Sequence, residues 1–254
     1  GTANPFTGDF YFNARVKWYG TNGAYQHIFA KRDAYATEDM MFDLALTDTT
    51  GQIISDTTVG LREYGYILPK FKWVNLTWVH NVTEGYEQIY IDGDRVAELA
   101  ISTLGDGTDA EISIGGVQDP TTESFYGEIE EPVIGLSAPS WEEVIAMYAK
   151  YEYPDQWGYY KLDEGSGTTA TDSSGNGNTG TISAATYVTD KVLSPRTTVA
   201  NRFSIQDIGK SVYFTASTGK LTVPVTPSTT NFNFAIWFNR RGQTGFPHLA
   251  CMQH

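Results

Sequence analysis

A chain of 254 residues with 41% hydrophobic content has enough apolar surface to bury a core, which excludes a disordered chain and allows one large domain or parts of two. Its formal charge of −13 is the wrong sign for phosphate backbones or anionic membrane surfaces, though compatible with cations, so neither a nucleic-acid partner nor membrane insertion is expected. A single cysteine, Cys251, excludes an internal disulfide framework, and no apolar run approaches the roughly 20 residues that a spanning helix needs.

In chain order, residues 10–18 read FYFNARVKW and alternate as a strand, and Tyr25 to Lys31 predict a second strand across the turn Thr21-Asn22-Gly23, together a hairpin. Met41 to Leu46 is a third strand with Phe42, Leu44 and Leu46 on one face; a polar turn at Asp48 to Gly51 leads to a further strand from Gln52. Residues 73–83, WVNLTWVHNVT, place Trp73, Asn75, Thr77, Val79 and Asn81 on one face and Val74, Leu76, Trp78 and His80 on the other. The run Gln88 to Ile91, turning at Asp92-Gly93 into Arg95-Val96, is the strongest hairpin signal in the chain. Short strands with turn chemistry between them argue for a sandwich. Ser140 is a candidate cap for a short helix, with Glu142 and Glu143 in its first turn and Val144, Ile145, Met147 and Tyr148 as its apolar stripe.

After the break at Tyr153-Pro154-Asp155 comes the most specific stretch, residues 157–182, WGYYKLDEGSGTTATDSSGNGNTGTI, a strand followed by a glycine-rich loop. It closely resembles the opening of a laminin-G-like domain of the concanavalin A-like jelly-roll superfamily. The order of earlier landmarks is similar to the same family: the tryptophan strand, the Tyr90-Ile91-Asp92-Gly93 hairpin, Ile112 to Gly116, then Phe125 to Glu131. Residues 232–240, FNFAIWFNR, repeat residues 10–17, and His248 matches His27, an internal repeat of about 220 residues. The expectation is therefore an all-β antiparallel jelly-roll sandwich with a second partial copy. Residues 1–153 would be a laminin-G-like body lacking its opening strands, and residues 154–254 the front of a second. Gly1, where an initiator methionine would stand, leads us to expect a processed or partial chain. Two ways of completing the body are open: residues from about 158 onward fold back onto it, or sequence elsewhere or a neighbouring chain supplies the strand. The second is favoured, because the helix and Pro154 read as a domain end.

Asp163, Glu164, Asp172, Asn176 and Asn178 bring oxygen ligands onto a glycine-rich loop of the kind Ca²⁺ prefers; the resemblance places a structural calcium on Asp172 and Asn176, with Glu130 as a further cation ligand. The alternative is a loop shaped by Asx-turns alone. Glu128-Ile129-Glu130-Glu131-Pro132 invites comparison with family-16 glycoside hydrolases of the same superfamily. Pro132 stands where a third acid is needed, so no enzymatic activity is expected. His27, His80 and His248 read as packing or hydrogen-bonding residues, and Trp73, Trp78, Trp237 and Tyr90 as core, leaving one aromatic ring, unidentified, to stack on a sugar. Asn75 and Asn81 begin glycosylation triplets inside a strand and carry little weight. What the resemblance implies is a non-catalytic extracellular or surface protein for adhesion or glycan binding, its partner a glycan or surface protein, with self-assembly through strand addition. The competing expectations are a virion, filament or surface-layer building block without sugar affinity and, more weakly, a polysaccharide-degrading enzyme or its accessory module.

Overall fold

The computed structural model describes residues 4–32, 40–57, 60–105, 110–117 and 123–188, all within one compact unit spanning Gly1–Ile205. The elements are β1 (Phe10–Trp18), β2 (Gln26–Arg32), β3 (Met40–Leu46), β4 (Gln52–Thr57), β5 (Gly60–Ile67), β6 (Trp73–Asn81) and β7 (Tyr86–Ile91). They continue with β8 (Asp94–Ala100), β9 (Ile112–Ile114), β10 (Gly127–Gly135), α1 (Trp141–Lys150), β11 (Gln156–Tyr159), β12 (Thr169–Ala170) and β13 (Gly180–Thr181). One sheet has the order β11-β10-β1-β6-β7-β8, the other β5-β4-β3-β2-β9, and β12 pairs with β13. Their ladders are antiparallel, so the fold is the expected all-β sandwich.

The inter-sheet core follows from period-two alternation. Phe10, Phe12, Ala14, Val16 and Trp18 of β1 and Val74, Leu76 and Trp78 of β6 turn inward, meeting Phe29, Phe42, Leu44, Leu46 and Ile53 of the opposite sheet. Phe6 sits among them in edge-to-face contact with Phe10 and Phe42, at ring-centroid distances of 5.1 and 5.3 Å. The Asp92-Gly93 turn has positive φ at both residues, 53° and 86°, the geometry a two-residue hairpin requires, and it joins β7 to β8 as expected.

The predicted hairpin of the first two strands does not form. β1 pairs with β6 and β10, whereas β2 pairs with β3 and β9 in the other sheet. Both strands carry inward apolar residues, so facing each other across the core buries more apolar surface than lying side by side. Residues 21–25 therefore span the gap between the sheets.

The division between residues 1–153 and 154–254 is also corrected at its boundary. β11 is the edge strand of the six-stranded sheet, with Tyr159 opposite Val133 and Gly158 opposite Ile134, and the Tyr160 amide donates to Pro132 O at 3.0 Å. The fold-back solution, rather than strand addition from elsewhere, thus occupies the edge of β10. The physical reason is that β11 fits two surfaces: Trp157 packs against Phe6 at the rim of the inter-sheet core, and Tyr159 joins the cluster under α1. The predicted repeat at residues 232–240, with Trp237, and also His248 and Cys251, lie outside the described residues.

The helix α1 forms as the sequence predicts. Ser140 Oγ accepts from the Glu143 amide at 3.3 Å, and Glu143 Oε2 accepts from the Ser140 amide at 2.7 Å, a reciprocal capping box. Tyr151 ends it with a left-handed φ of 58°, its amide donating to Met147 O at 3.2 Å. Val144 and Met147 are buried against Tyr11, Val79, Tyr90, Val133 and Tyr159 on the outer face of the six-stranded sheet. Among the described residues no helix is long and apolar enough to cross a membrane.

Candidate functional site

The glycine-rich loop after β11 brings Asp172 and Asn176 together, the Asp172 carboxylate and the Asn176 Nδ2 both bonded to the chain itself. Asp172 Oδ1 accepts from the amides of Tyr159 at 3.0 Å and Ser174 at 2.8 Å; Oδ2 accepts from Ser174 Oγ and the Asn178 amide, both at 2.9 Å. Asn176 Nδ2 donates to Gln156 O at 2.7 Å, and Asn178 Nδ2 donates to Trp157 O at 2.7 Å. Burial works to raise the Asp172 carboxyl, but these bonds outweigh it and hold it below the ordinary carboxylate range. Four donors meet the two oxygens of the Asp172 carboxylate, the pattern of a loop shaped by Asx-turns, which is the alternative to a calcium site. What the loop does is satisfy the outward edge of β11, which would otherwise present unpaired backbone groups to any passing strand. Glu130, the third candidate, lies elsewhere in function: its Oε2 accepts from Arg15 at 2.5 Å. Among the described residues no cluster of His, Cys, Asp and Glu has the form of a metal site.

A different constellation forms on the outer face of the six-stranded sheet, beyond the half that α1 covers. On β1 the outward positions run Tyr11, Asn13, Arg15, Lys17; the cross-strand partners of the last two are Asn75 and Trp73 on β6 and Glu130 and Glu128 on β10. Next to the covered half, Asn13 Nδ2 donates to Asn75 Oδ1 at 2.9 Å and Thr77 Oγ1 at 2.7 Å, a buried amide network that also keeps the Asn75 side chain from solvent. Farther out, Arg15 is ion-paired with Glu130 and lies 5.2 Å from the Trp73 ring centroid. Lys17 Nζ donates to Glu128 Oε1 at 3.0 Å and stands 5.4 Å from the Tyr19 ring and 5.9 Å from that of Trp73. The Tyr19 hydroxyl donates to the same Glu128 oxygen.

Beyond this charged row the face ends in aromatic rings. Tyr19 stacks on Phe71 at 5.9 Å and meets Tyr126 edge-on at 5.6 Å. Phe71 is 67% exposed and Tyr126 51% exposed, so both rings present a free face. Phe71 holds a left-handed φ of 58°, a conformation that costs a non-glycine residue about 1 kcal/mol and persists only when the surroundings enforce it. The enforcing contact is its amide, which donates to Trp18 O at 2.6 Å. Buried Gln26 fixes the rest: its Oε1 accepts from Trp18 Nε1 and from the Tyr126 amide, each at 3.0 Å, and its Nε2 donates to Gly20 O at 2.9 Å. At Gly127 a Cβ would stand 2.2 Å from Lys17 O and 2.7 Å from the Phe125 ring, so only glycine lets β10 pass this close to β1. These bonds tie the backbone that carries Phe71 and Tyr126 to the buried Trp18 and Gln26.

Sequence reasoning placed Trp73 in the core, yet it is half-buried on this outer face, while Trp78 and Tyr90 are buried as expected. It missed Phe71 and Tyr126. The available signal was Phe71 itself, a lone aromatic between Lys70 and Lys72 just after Pro69, where no strand periodicity calls for an apolar residue.

The histidines among the described residues are structural. His80 Nδ1 is 3.0 Å from Glu87 Oε1 in the interior, where Tyr64 also donates to Glu87 Oε2 at 2.7 Å, Arg62 at 3.2 Å, and Ser102 Oγ to Oε1. Burial works to raise the Glu87 carboxyl, but the bonds from His80, Ser102 and Tyr64 bring it down to about 2. His27 lies between Asp43 at 3.4 Å and Glu123 at 3.2 Å. Glu128 shows the same balance: burial raises it, but Tyr19 and Lys17 hold it below its ordinary range, the opposite of what a general acid needs.

No family model matches the chain, and no curated protein matches it. Among solved structures, one from Bacteroides ovatus ATCC 8483, provisionally named a carbohydrate binding protein, is similar at 15% identity and a TM-score of 0.55, over 70% of this chain. The chain spans 55% of the length of that protein. The native heptameric SAP-like pentraxin of Limulus polyphemus matches 56% of this chain and 70% of its own at 16% identity and a TM-score of 0.45. The CBM40 of Ruminococcus gnavus IT-sialidase, bound to α2,3-sialyllactose, matches 56% of this chain and 83% of its own at 15% identity and a TM-score of 0.45. The first likeness agrees with the observed strand order on the fold, a jelly-roll β-sandwich.

Proposed function

We propose that the chain is a non-catalytic carbohydrate-binding sandwich of laminin-G-like type, acting in adhesion or glycan recognition outside the cell. The observation that carries this reading is Phe71: a two-thirds exposed aromatic ring, kept in a strained backbone conformation and flanked by Tyr19 and Tyr126. An exposed apolar ring gains nothing for the core, and a rigid aromatic face beside hydrogen-bonding side chains is suited to the C–H face of a sugar ring. Against hydrolysis, Glu128, though raised by burial, is held below the ordinary carboxylate range by Tyr19 and Lys17 and so is not poised as a general acid, and Glu130 is tied to Arg15.

Affinity electrophoresis in gels containing soluble polysaccharides tests the reading. Retardation by at least one polysaccharide, lost in Phe71→Ala with the melting curve unchanged, is the expected result. Free migration in every gel counts against it, and release of reducing ends that vanishes in Glu128→Gln contradicts the non-catalytic assignment.

A further inference from the structure

The glycan-binding reading leaves open what form of glycan the rings receive, and the angles between the rings narrow it. We infer that the Tyr19-Phe71-Tyr126 platform takes one soluble polysaccharide chain, two of its residues stacking in different planes on Phe71 and Tyr126, and does not take the flat face of a crystalline polysaccharide. This rests on the proposed function and goes further than it.

Tyr19 is the pivot of the arrangement. Its hydroxyl donates to Glu128, Lys17 Nζ stands 5.4 Å from its ring centroid, and its amide donates to Tyr126 O at 2.9 Å. Phe71 lies on it with the two planes only 25° apart, whereas Tyr126 meets it at 87°. The two exposed rings are therefore turned steeply to one another. They come from separate segments, Phe71 from the connection before β6 and Tyr126 from the approach to β10. Trp18 O and Gln26 Oε1 join those segments, accepting from the two amides at 2.6 and 3.0 Å. A crystalline polysaccharide offers its C–H groups in one plane, and a ring gains full contact there only by lying flat. With Phe71 flat on such a plane, Tyr126 stands on edge and forfeits most of its contact. A single chain in water is free to twist, so its residues turn their faces about the chain axis and each ring meets one. A chain long enough to reach both rings makes its second stacking contact intramolecularly, and affinity climbs with length until both are filled. Charge does not enter: Lys17 and Glu128 beside Tyr19, and Lys70 and Lys72 flanking Phe71 in sequence, supply both cations and a carboxylate, so the inference holds for neutral and acidic chains alike.

The test pairs pull-down on microcrystalline cellulose and crystalline chitin with calorimetry on oligosaccharides of increasing length, from monomer to hexamer, prepared from xylan, arabinan, mixed-linkage β-glucan and polygalacturonate. The expected result is no adsorption to either crystal and, for at least one soluble series, an affinity that rises at least tenfold from monomer to tetramer. Phe71→Ala and Tyr126→Ala should each remove most of that rise. Adsorption to a crystal that is lost in Phe71→Ala would overturn the inference while leaving the glycan-binding reading intact. So would a series whose affinity is already complete at the monomer. A rise with length that survives Tyr126→Ala overturns the assignment of two residues to two rings. Binding to none of the series and neither crystal, joined with free migration in polysaccharide gels, sinks the underlying reading and the inference with it.

Discussion

The outer face of the six-stranded sheet has two halves built by the same strands with opposite outcomes. At one end Tyr11, Val79, Tyr90 and Val133 point outward and are closed over by Val144 and Met147 of α1. At the other, the same strands β1, β6 and β10 present Arg15, Lys17, Trp73, Glu128 and Glu130, and the face ends in Tyr19, Phe71 and Tyr126, with nothing among the described residues covering the rings of Phe71 and Tyr126. The covered half follows the rule that apolar residues on a strand must find a layer to bury against. The open half keeps exposed rings and a strained backbone that stability alone does not explain, and it is there that a binding role is read. The difference teaches that one face can be divided between holding the fold together and meeting a ligand, with the Asn13, Asn75 and Thr77 network as the seam.

The largest effect expected from this division is in the covered half. Met147→Ala removes a fully buried side chain from beneath α1 and should cost about 2–5 kcal/mol in denaturant unfolding while leaving glycan affinity unchanged. Loss of binding at full stability in this variant would erase the distinction between the halves.

Acid should act on the interior through Glu87. Glu87 is held at about 2, against an ordinary 4.5, by its interior donors, so its contribution is fully present above pH 4.5 and lost as pH falls toward 2. That contribution is on the order of 3 kcal/mol. A pH series of melting curves checks it: Glu87→Gln should start less stable at neutral pH and flatten the acid limb. A wild-type acid limb unchanged by the substitution contradicts the assignment.

A smaller loss is expected from Asp172→Ala, which strips the acceptor from the Tyr159, Ser174 and Asn178 amides and loosens β11 from the covered end, about 1–3 kcal/mol. Because the carboxylate is filled by these donors, EDTA should leave the wild-type melting temperature where it is. A drop on chelation, restored by Ca²⁺, would return the loop to the metal-binding role expected from its resemblance.

Much of the covered half was legible in sequence. Alternation in residues 73–81 separates the Trp78 face from the Val79 face, Asp92-Gly93 announces its hairpin, and Ser140 with Glu143 announces the start of α1. Pairing partners were not legible. Period two says that Gln156–Tyr159 is a strand without saying that β10 is its neighbour, and it cannot show that β1 and β2 part into different sheets, because those choices are made by contacts distant in sequence. The open half was hidden for a related reason. Alternation puts Trp73 and Val79 on the same face, but only the position of α1 decides that Val79 is buried and Trp73 is not. The loop at Asp172 was found for its residue types, but those types do not fix its role, since carboxylates and amides that suit Ca²⁺ suit backbone N–H groups equally well.

The central claim is that Phe71 is kept for a ligand and not for the fold, and Phe71→Gly addresses it most directly. Glycine relieves the left-handed strain but forfeits the stack on Tyr19 and loses more entropy on folding. These effects are each about 1 kcal/mol, and the first opposes the other two, leaving a net loss of about 1 kcal/mol. Measured together, the melting temperature should fall by no more than about 4 °C while affinity for the retained glycan falls at least tenfold. A variant that melts well below wild type yet binds the glycan undiminished would show that the ring serves the fold, and the account of the open half would be wrong.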